Sequence, residues 1–464
     1  MENKHPLHFS HASFRGRVGI ARVDITPPVG IYARNWGAAK HDVAESVHRP
    51  LTLTALSLTS PSHPQPLVFL DADLGWWKTP HTFRQFMDRL QESVELAPPR
   101  LLFGLSHTHA GPPLMQAEEA LPGSELLRDW MEDLLAKAVQ VVDGAIGTAF
   151  DATLDWHRGS CDLAAHRDLP DPENPQGRMV CGFNPAGAPD DALWVGRVVD
   201  SSGRIRGTLT NYACHPTTLA WDNTAISPDY VGAMRETIEK STEAPALFLL
   251  GACGDLAPRY QYVGDPAVAD RHGRQLGYAT LATLEAMEPA GTQLVFSETV
   301  ESGAPLAVWK HQSYPLPQDL RSLRTTVELP LKDWPTAEEL ECERLRCSDR
   351  ALEERLRRKR DIRRGIGDGA TYSLPLFAWR MGSAVLIGCC CEPYSILQQT
   401  LRTRFPQNPI LCLNLINGSI GYLPPADLYE TDVYPVWQTP FDRGSLELTI
   451  DAMTEAVQAL LNQP

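Results

Sequence analysis

Residues 101–113 read Leu101-Leu-Phe-Gly-Leu-Ser-His107-Thr-His109-Ala-Gly111-Pro-Pro113. A short apolar run followed by polar residues and a Gly-Pro breaker is the pattern of a buried strand ending in a loop. In extended backbone, residues i and i+2 face the same way, so the two imidazoles are expected to emerge side by side. They would do so at a strand's carboxyl end, where open α/β sheets place their sites. Imidazole is a common zinc ligand. His-x-His alone is a short pattern with many chance matches.

The same design recurs along the chain. Gly207–Tyr212 runs into Cys214-His215-Pro216, and Ala246–Leu250 runs into Gly251-Ala-Cys-Gly254-Asp255. Ala384–Gly388 passes through Cys389, Cys390 and Cys391 into Glu392-Pro393-Tyr394, and Ile410–Leu415 leads to Asn417 and Tyr422. The glycines allow close backbone approach, and Asp255 is placed to orient a ligand imidazole. Each strand end by itself reads as capping or packing. Together, converging on one edge, they read as a metal site.

Further strands are expected at Arg17–Asp24, Leu51–Leu58, Leu67–Leu70, Leu193–Val199 and Tyr372–Ala378. Helices are expected at Phe83–Leu96, Ser124–Ile146, Tyr230–Ser241, Ala267–Met287, Tyr394–Phe405 and Gly444–Leu461. The alternation predicts an α/β fold, a layered sandwich with a mostly mixed central β-sheet flanked by helices. Residues 1–464 are read as one catalytic domain. Asp162–Asp191, rich in Pro, Gly, Asp and Asn, reads as a long loop of the kind that carries function. Residues 336–364 form a charged helical segment, acidic early and basic late, which reads as a solvated surface helix. Trp36, Trp76 and Trp77 follow strand ends and either pack or line an apolar acyl pocket.

Composition narrows the function. The 464 residues are 43% hydrophobic, enough for a substantial core. The 42 Lys and Arg against 57 Asp and Glu give a net charge of −15, which argues against nucleic-acid binding through the overall field. No apolar run approaches the ~20 residues of a transmembrane helix. The opening residues hold no apolar secretory core, so a cytoplasmic location with reduced thiols is expected. The ten cysteines contain no CxxC pair, and Cys389, Cys390 and Cys391 alternate faces, so a cysteine zinc site is not expected.

The ordered blocks Val18–Pro28 (VGIARVDITPP), Ser106–Pro112 (SHTHAGP), Asn211–Thr218 (NYACHPTT), Ser227–Gly232 (SPDYVG), Gly251–Pro258 (GACGDLAP), the CEP holding Glu392, and Gly418–Pro425 (GSIGYLPP) resemble the catalytic domain of the neutral ceramidase family, zinc amidases that cleave N-acyl sphingosine. The resemblance spans nearly the whole chain. It implies a Zn2+ ion held by His107, His215, Glu392 and Tyr422. It also implies His109 beside the reacting amide, Tyr434 as an oxyanion donor, and Arg167 (or His166, one residue away) as a substrate contact. Asp255 and His109 are candidates for moving protons. Gly251 stands where the family carries a serine, in a substrate-facing position, so no hydroxyl acts there. The family's C-terminal β-sandwich and secretion signal have no counterpart here, which leaves the acyl substrate open between a lipid-like amide and a small soluble molecule. The expected activity is zinc-dependent hydrolysis of an N-acyl amide by activated water. The competing readings are a zinc esterase, lactonase or carbamate hydrolase, and a catalytically silent zinc-stabilised binding protein. The oligomeric state is left open.

Overall fold

The apolar runs form strands whose alternate side chains enter two different cores. The structure is a computed structural model, and residues 7–118, 121–174 and 177–462 are described. Eight strands form the main sheet: β1 (Ala12–Asp24), β2 (Thr52–Ser60), β3 (His63–Ala72), β4 (Leu101–Leu105), β5 (Phe150–Ser160), β6 (Ala192–Asp200), β7 (Ile205–Tyr212) and β8 (Ala246–Leu250). Their order is β8-β7-β6-β5-β1-β2-β3-β4. The outer pairs β3/β4 and β7/β8 are parallel and the inner pairs antiparallel. A second sheet, in the order β9 (Leu320–Pro330), β10 (Thr371–Met381), β11 (Ala384–Cys389) and β12 (Ile410–Leu413), ends in the parallel pair β11/β12.

Helices and sheets stack in four layers. Leu101, Phe103 and Leu105 of β4, and Ala246, Phe248 and Leu250 of β8, pack with α1 (Pro80–Val94), α2 (Ser124–Gly147), α3 (Tyr230–Thr242) and α4 (Pro266–Glu285). The intervening Leu102, Leu247 and Leu249 join Phe377, Trp379, Leu411 and Leu413 of the second sheet in the core between the sheets. Behind the second sheet lie α7 (Ile396–Arg404) and α9 (Ser445–Asn462), through Leu397, Leu401, Met453 and Val457. Burial on both faces explains the near-continuous apolar sequences. The layered mixed α/β sandwich expected from sequence is present.

The charged segment departs from expectation. It forms two helices, α5 (Ala337–Arg346) and α6 (Arg350–Ile366), the first opened by a Thr336/Glu339 capping box. α6 is not a solvated helix. Glu354, Arg360, Asp361, Ile362 and Arg363 are buried, and the buried charges are paired: Glu354 with the half-buried Arg358, and Arg360 with both Asp361 and the half-buried Glu341. Charge density hid a packed face. Strand β5, strand β9 and an antiparallel hairpin (Thr292–Glu301 with Pro305–Ser313) also went unforeseen, because their many polar residues blur the alternation. The long loop carries short strands at Ala164–His166, Asp168–Pro170 and Met179–Cys181.

Across the sheet, β4 and β8 run in nominally opposite senses. Twist of about 20–25° per strand over seven intervals accumulates to about 140–175°, which lets the two edge strands point the same way in space. The two ends are stitched together: the Phe248 amide of β8 donates to Asp71 of β3 (2.8 Å). The Asn414 and Asn417 amides donate to the carbonyls of Leu250 and Phe103, spanning both edges from the second sheet. This closure brings the loops after β4, β7, β11 and β12 to one place.

Candidate metal centre

His107 follows β4 but not in extended backbone. Its φ is +71°, a left-handed conformation costing a non-glycine residue about 1–3 kcal/mol. The His-x-His pair is therefore not the face-sharing strand pair read from the sequence. The kinked loop still sets the rings of His107 and His109 4.9 Å apart, edge to face. The His107 amide donates to Leu74, and its Nδ1 lies 2.9 Å from the Gly75 carbonyl oxygen.

His215, after β7, is fully buried. Its Nδ1 lies 2.6 Å from the Cys253 carbonyl and 3.1 Å from that of Leu256. The orienting groups of this imidazole are thus the carbonyls flanking Asp255. The Asp255 carboxylate instead accepts from the amide (2.6 Å) and hydroxyl (2.7 Å) of Ser395, with His166 3.9 Å away. It ties the loop after β8 to the turn three residues beyond Glu392.

Carbonyl oxygens only accept, so hydrogen bonding places a proton on Nδ1 of each imidazole, and a neutral ring then offers its Nε2 lone pair. Burial pulls His215 down to about 4, which keeps it neutral. Both lone pairs converge on one carboxylate oxygen: Glu392 Oε2 lies 2.9 Å from His215 Nε2 and 3.3 Å from His107 Nε2. The ligand atoms of His107, His215 and Glu392 all lie within 4.8 Å of one another, and all three residues are buried. Three electron-pair donors at this spacing repel unless a cation sits among them. The set can hold a metal ion, and backbone carbonyls behind both imidazoles are the usual support for such ligands. The Tyr422 hydroxyl lies 3.4 Å from His215 Nε2, close enough to be a fourth donor.

Around this centre is a narrow cleft of about 40 Å³, lined by Trp76, Trp77, Lys78, His109, Arg358, Tyr422 and Tyr434 among others. His109 lies between Trp36 (5.0 Å) and Trp76 (4.8 Å), with its Nε2 buried and unpartnered, and burial pulls it well below its ordinary value. Tyr434 opens the one-turn helix α8 (Tyr434–Gln438) with its ring 5.4 Å from that of Tyr422, and burial pushes its phenol up, keeping it a donor. The Arg167 guanidinium is buried over the Tyr422 ring at 5.4 Å, and its Nε and Nη2 have no hydrogen-bond partner. Gly251 lies outside this lining. A Cβ there would stand 2.9 Å from both Ala213 Cβ and Gln398 Oε1.

Lys78 and Arg358 entered no sequence-based site. Lys78 had a signal, since Trp76-Trp77-Lys78 follows the end of β3 as His107 follows β4. Arg358 had none, being one of many arginines in a charged run.

No protein-family model matches the chain, and no curated protein sequence matches it. Among solved structures, its fold is similar to that of a ceramidase complexed with C2, with a TM-score of 0.66 and 14% identity over 97% of this chain and 76% of that one. It is likewise similar to neutral ceramidase from Pseudomonas aeruginosa, with a TM-score of 0.64 and 15% identity over 97% of this chain and 75% of that one. The chain shares the neutral ceramidase fold.

Proposed function

We propose that the protein is a zinc-dependent hydrolase that cleaves an N-acyl amide bond. The observation that carries the reading is the convergence of two imidazole nitrogens and a carboxylate oxygen in a buried cluster that opens onto a cleft. A donor set of two His and one carboxylate suits catalytic zinc, with Tyr422 as a weaker additional ligand. A divalent ion held there supplies Lewis acidity, polarising a carbonyl oxygen and acidifying water enough for attack at neutral pH.

The remaining steps fall to side chains of this chain. Water adds to the acyl carbon, the C–N bond breaks, and the departing amine takes a proton, giving a carboxylic acid and an amine. His109, neutral and lining the cleft, exchanges a proton with the reacting atoms. Tyr434 donates its phenol hydrogen to the oxyanion, a kind of contact typically worth roughly 3–4 kcal/mol of barrier. Arg167 offers unmet donors to a substrate oxygen. Asp255, occupied by Ser395, holds the Glu392 loop in place rather than shuttling protons. The likeness of fold to ceramidases supports an acyl substrate, lipid-like or small.

The test is hydrolysis of a panel of N-acyl amides, esters and lactones by metal-stripped and zinc-reloaded protein, with bound metal measured by mass spectrometry. Amide turnover that appears with one zinc per chain supports the reading. Ester or lactone turnover alone, or turnover unchanged by stripping, overturns it.

A further inference from the structure

Beside the metal cleft lies a larger cavity of about 430 Å³, and Lys78 and Arg358 line both. In a chain of net charge −15, this cavity is lined by seven Lys and Arg side chains against three carboxylates. The carboxylates are taken. Glu354 pairs with Arg358 and lies 4.0 Å from Lys78, Asp361 pairs with Arg360, and Glu118 lies 3.3 Å from Arg357. Arg357 and Arg360 have further partners in Glu353 and Glu341. Arg34, Arg84 and Arg364 make no ion pair among the described residues. Arg34 is buried with its Nε unpartnered, and Lys78 Nζ is buried without a hydrogen bond, 3.9 Å over the Trp76 ring. Burial pulls Lys78 down to about 7. Unmet buried donors of one sign are costly without a partner.

We infer that this cavity receives an anionic group, a carboxylate or phosphate at the far end of the substrate, gripped by Lys78 and Arg358 with Arg34 and Arg84 behind them. The inference rests on the hydrolase reading and names its substrate class: an amide that ends in an acid, as an N-acyl amino acid does. Charge-assisted contacts to Arg and Lys would fix the acid. The shared wall would then lead the chain's amide to the metal cleft.

The test uses the zinc-loaded full chain with N-lauroylglycine, its phosphate-ended analogue N-lauroyl-ethanolamine phosphate, and neutral N-lauroylglycinamide. Turnover is measured alongside binding by tryptophan fluorescence. The expected result is a kcat/KM preference of tenfold or more for one of the acids over the neutral amide. It should weaken with added salt and collapse in Arg358→Gln and in the exposed-rim variant Arg84→Glu. If none is hydrolysed, but an acid binds and Arg358→Gln abolishes that binding, the anion site stands and the hydrolase reading falls. Equal handling of acid and neutral amide, or a preference that both variants retain, overturns the inference and leaves the hydrolase reading intact. No binding and no turnover of either acid also overturns it.

Discussion

His215 Nε2 and Glu392 Oε2 lie 2.9 Å apart, and with the imidazole proton held on Nδ1 by two backbone carbonyls, both facing atoms are acceptors. A cation resolves that contact. His107→Ala and His215→Ala are therefore each expected to lose bound zinc and to lower kcat/KM at least about 100-fold, more than the 10–100-fold of residues merely behind the ligands. Zinc should raise the Tm of stripped wild type, by about 2.7 kcal/mol of stability at 100 times Kd, and should not shift either variant. Stoichiometric zinc in both variants, measured by mass spectrometry, would remove the ligand assignment.

Gly251→Ser restores the hydroxyl found in the resembling family, yet it is expected to harm the protein. The new Cβ meets Ala213 and the Gln398 amide oxygen at 2.9 Å. Gln398 cannot easily move, because it accepts from the Ala252 amide (3.0 Å) and donates to Asp190 (2.5 Å). Overpacking of this kind costs about 1–3 kcal/mol. A lower denaturation midpoint without a gain in turnover is the expected outcome. A variant as stable as wild type and more active would show that the site has room for the serine after all.

How much was legible follows from the kind of signal each residue carried. Strands β4, β7, β8, β11 and β12 were readable because burial on both faces makes them continuously apolar, and the breaker residues after them mark where His107, His215 and Glu392 leave the sheet. The reason the two edges meet was not readable. It lies in tertiary contacts such as Asn414 and Asn417 reaching the carbonyls of Leu250 and Phe103. The left-handed backbone of His107 had no local cue either, since no glycine stands there. Arg358 was hidden because a buried helix face made of paired charges has the composition of a solvated one.

The clasp between α5 and α6 should loosen in acid. Hydrogen bonds from Arg344, opposed by desolvation and helped by Arg360, hold the Glu341 carboxyl at about 2 rather than 4.5. A depressed folded value contributes stability that is full above about 4.5 and is lost as the pH falls toward about 2. Glu341→Gln should be less stable than wild type at neutral pH, and the difference should shrink through that window. Acid titration followed by the fluorescence of Trp334, which packs against Lys359 of α6, reads it. A difference that does not vary with pH would assign the loss to packing instead.

Arg235 on α3 closes the sheet upon itself, so its loss should be the most damaging single change outside the metal ligands. Its guanidinium pairs with Asp73 through Nη1 and with Asp71 through Nη2 at 2.7 Å, while Nε donates to the Ala246 carbonyl. All three side chains are nearly inaccessible, at 4%, 1% and 1% for Arg235, Asp71 and Asp73. Asp71 also takes the Phe248 amide of the opposite edge strand, and Asp73 takes the Thr52 amide and hydroxyl. Removing the cation strands two buried carboxylates, a loss of the order of 3–5 kcal/mol. Arg235→Lys should recover only part of it, because an ammonium cannot fork to both carboxylates. Burial pushes Asp71 up, with Arg235 opposing, so without the guanidinium protonation becomes the route to relief. An acid whose folded value is raised gains relative stability as pH falls, so the Arg235→Ala deficit in urea unfolding should narrow from pH 7 to pH 5. Because β3 runs on through Leu74 and Gly75, whose carbonyls accept from His107, the same variant should also weaken zinc affinity. An Arg235→Ala protein that unfolds within about 1 kcal/mol of wild type would mean that the edges are held by the surrounding core alone.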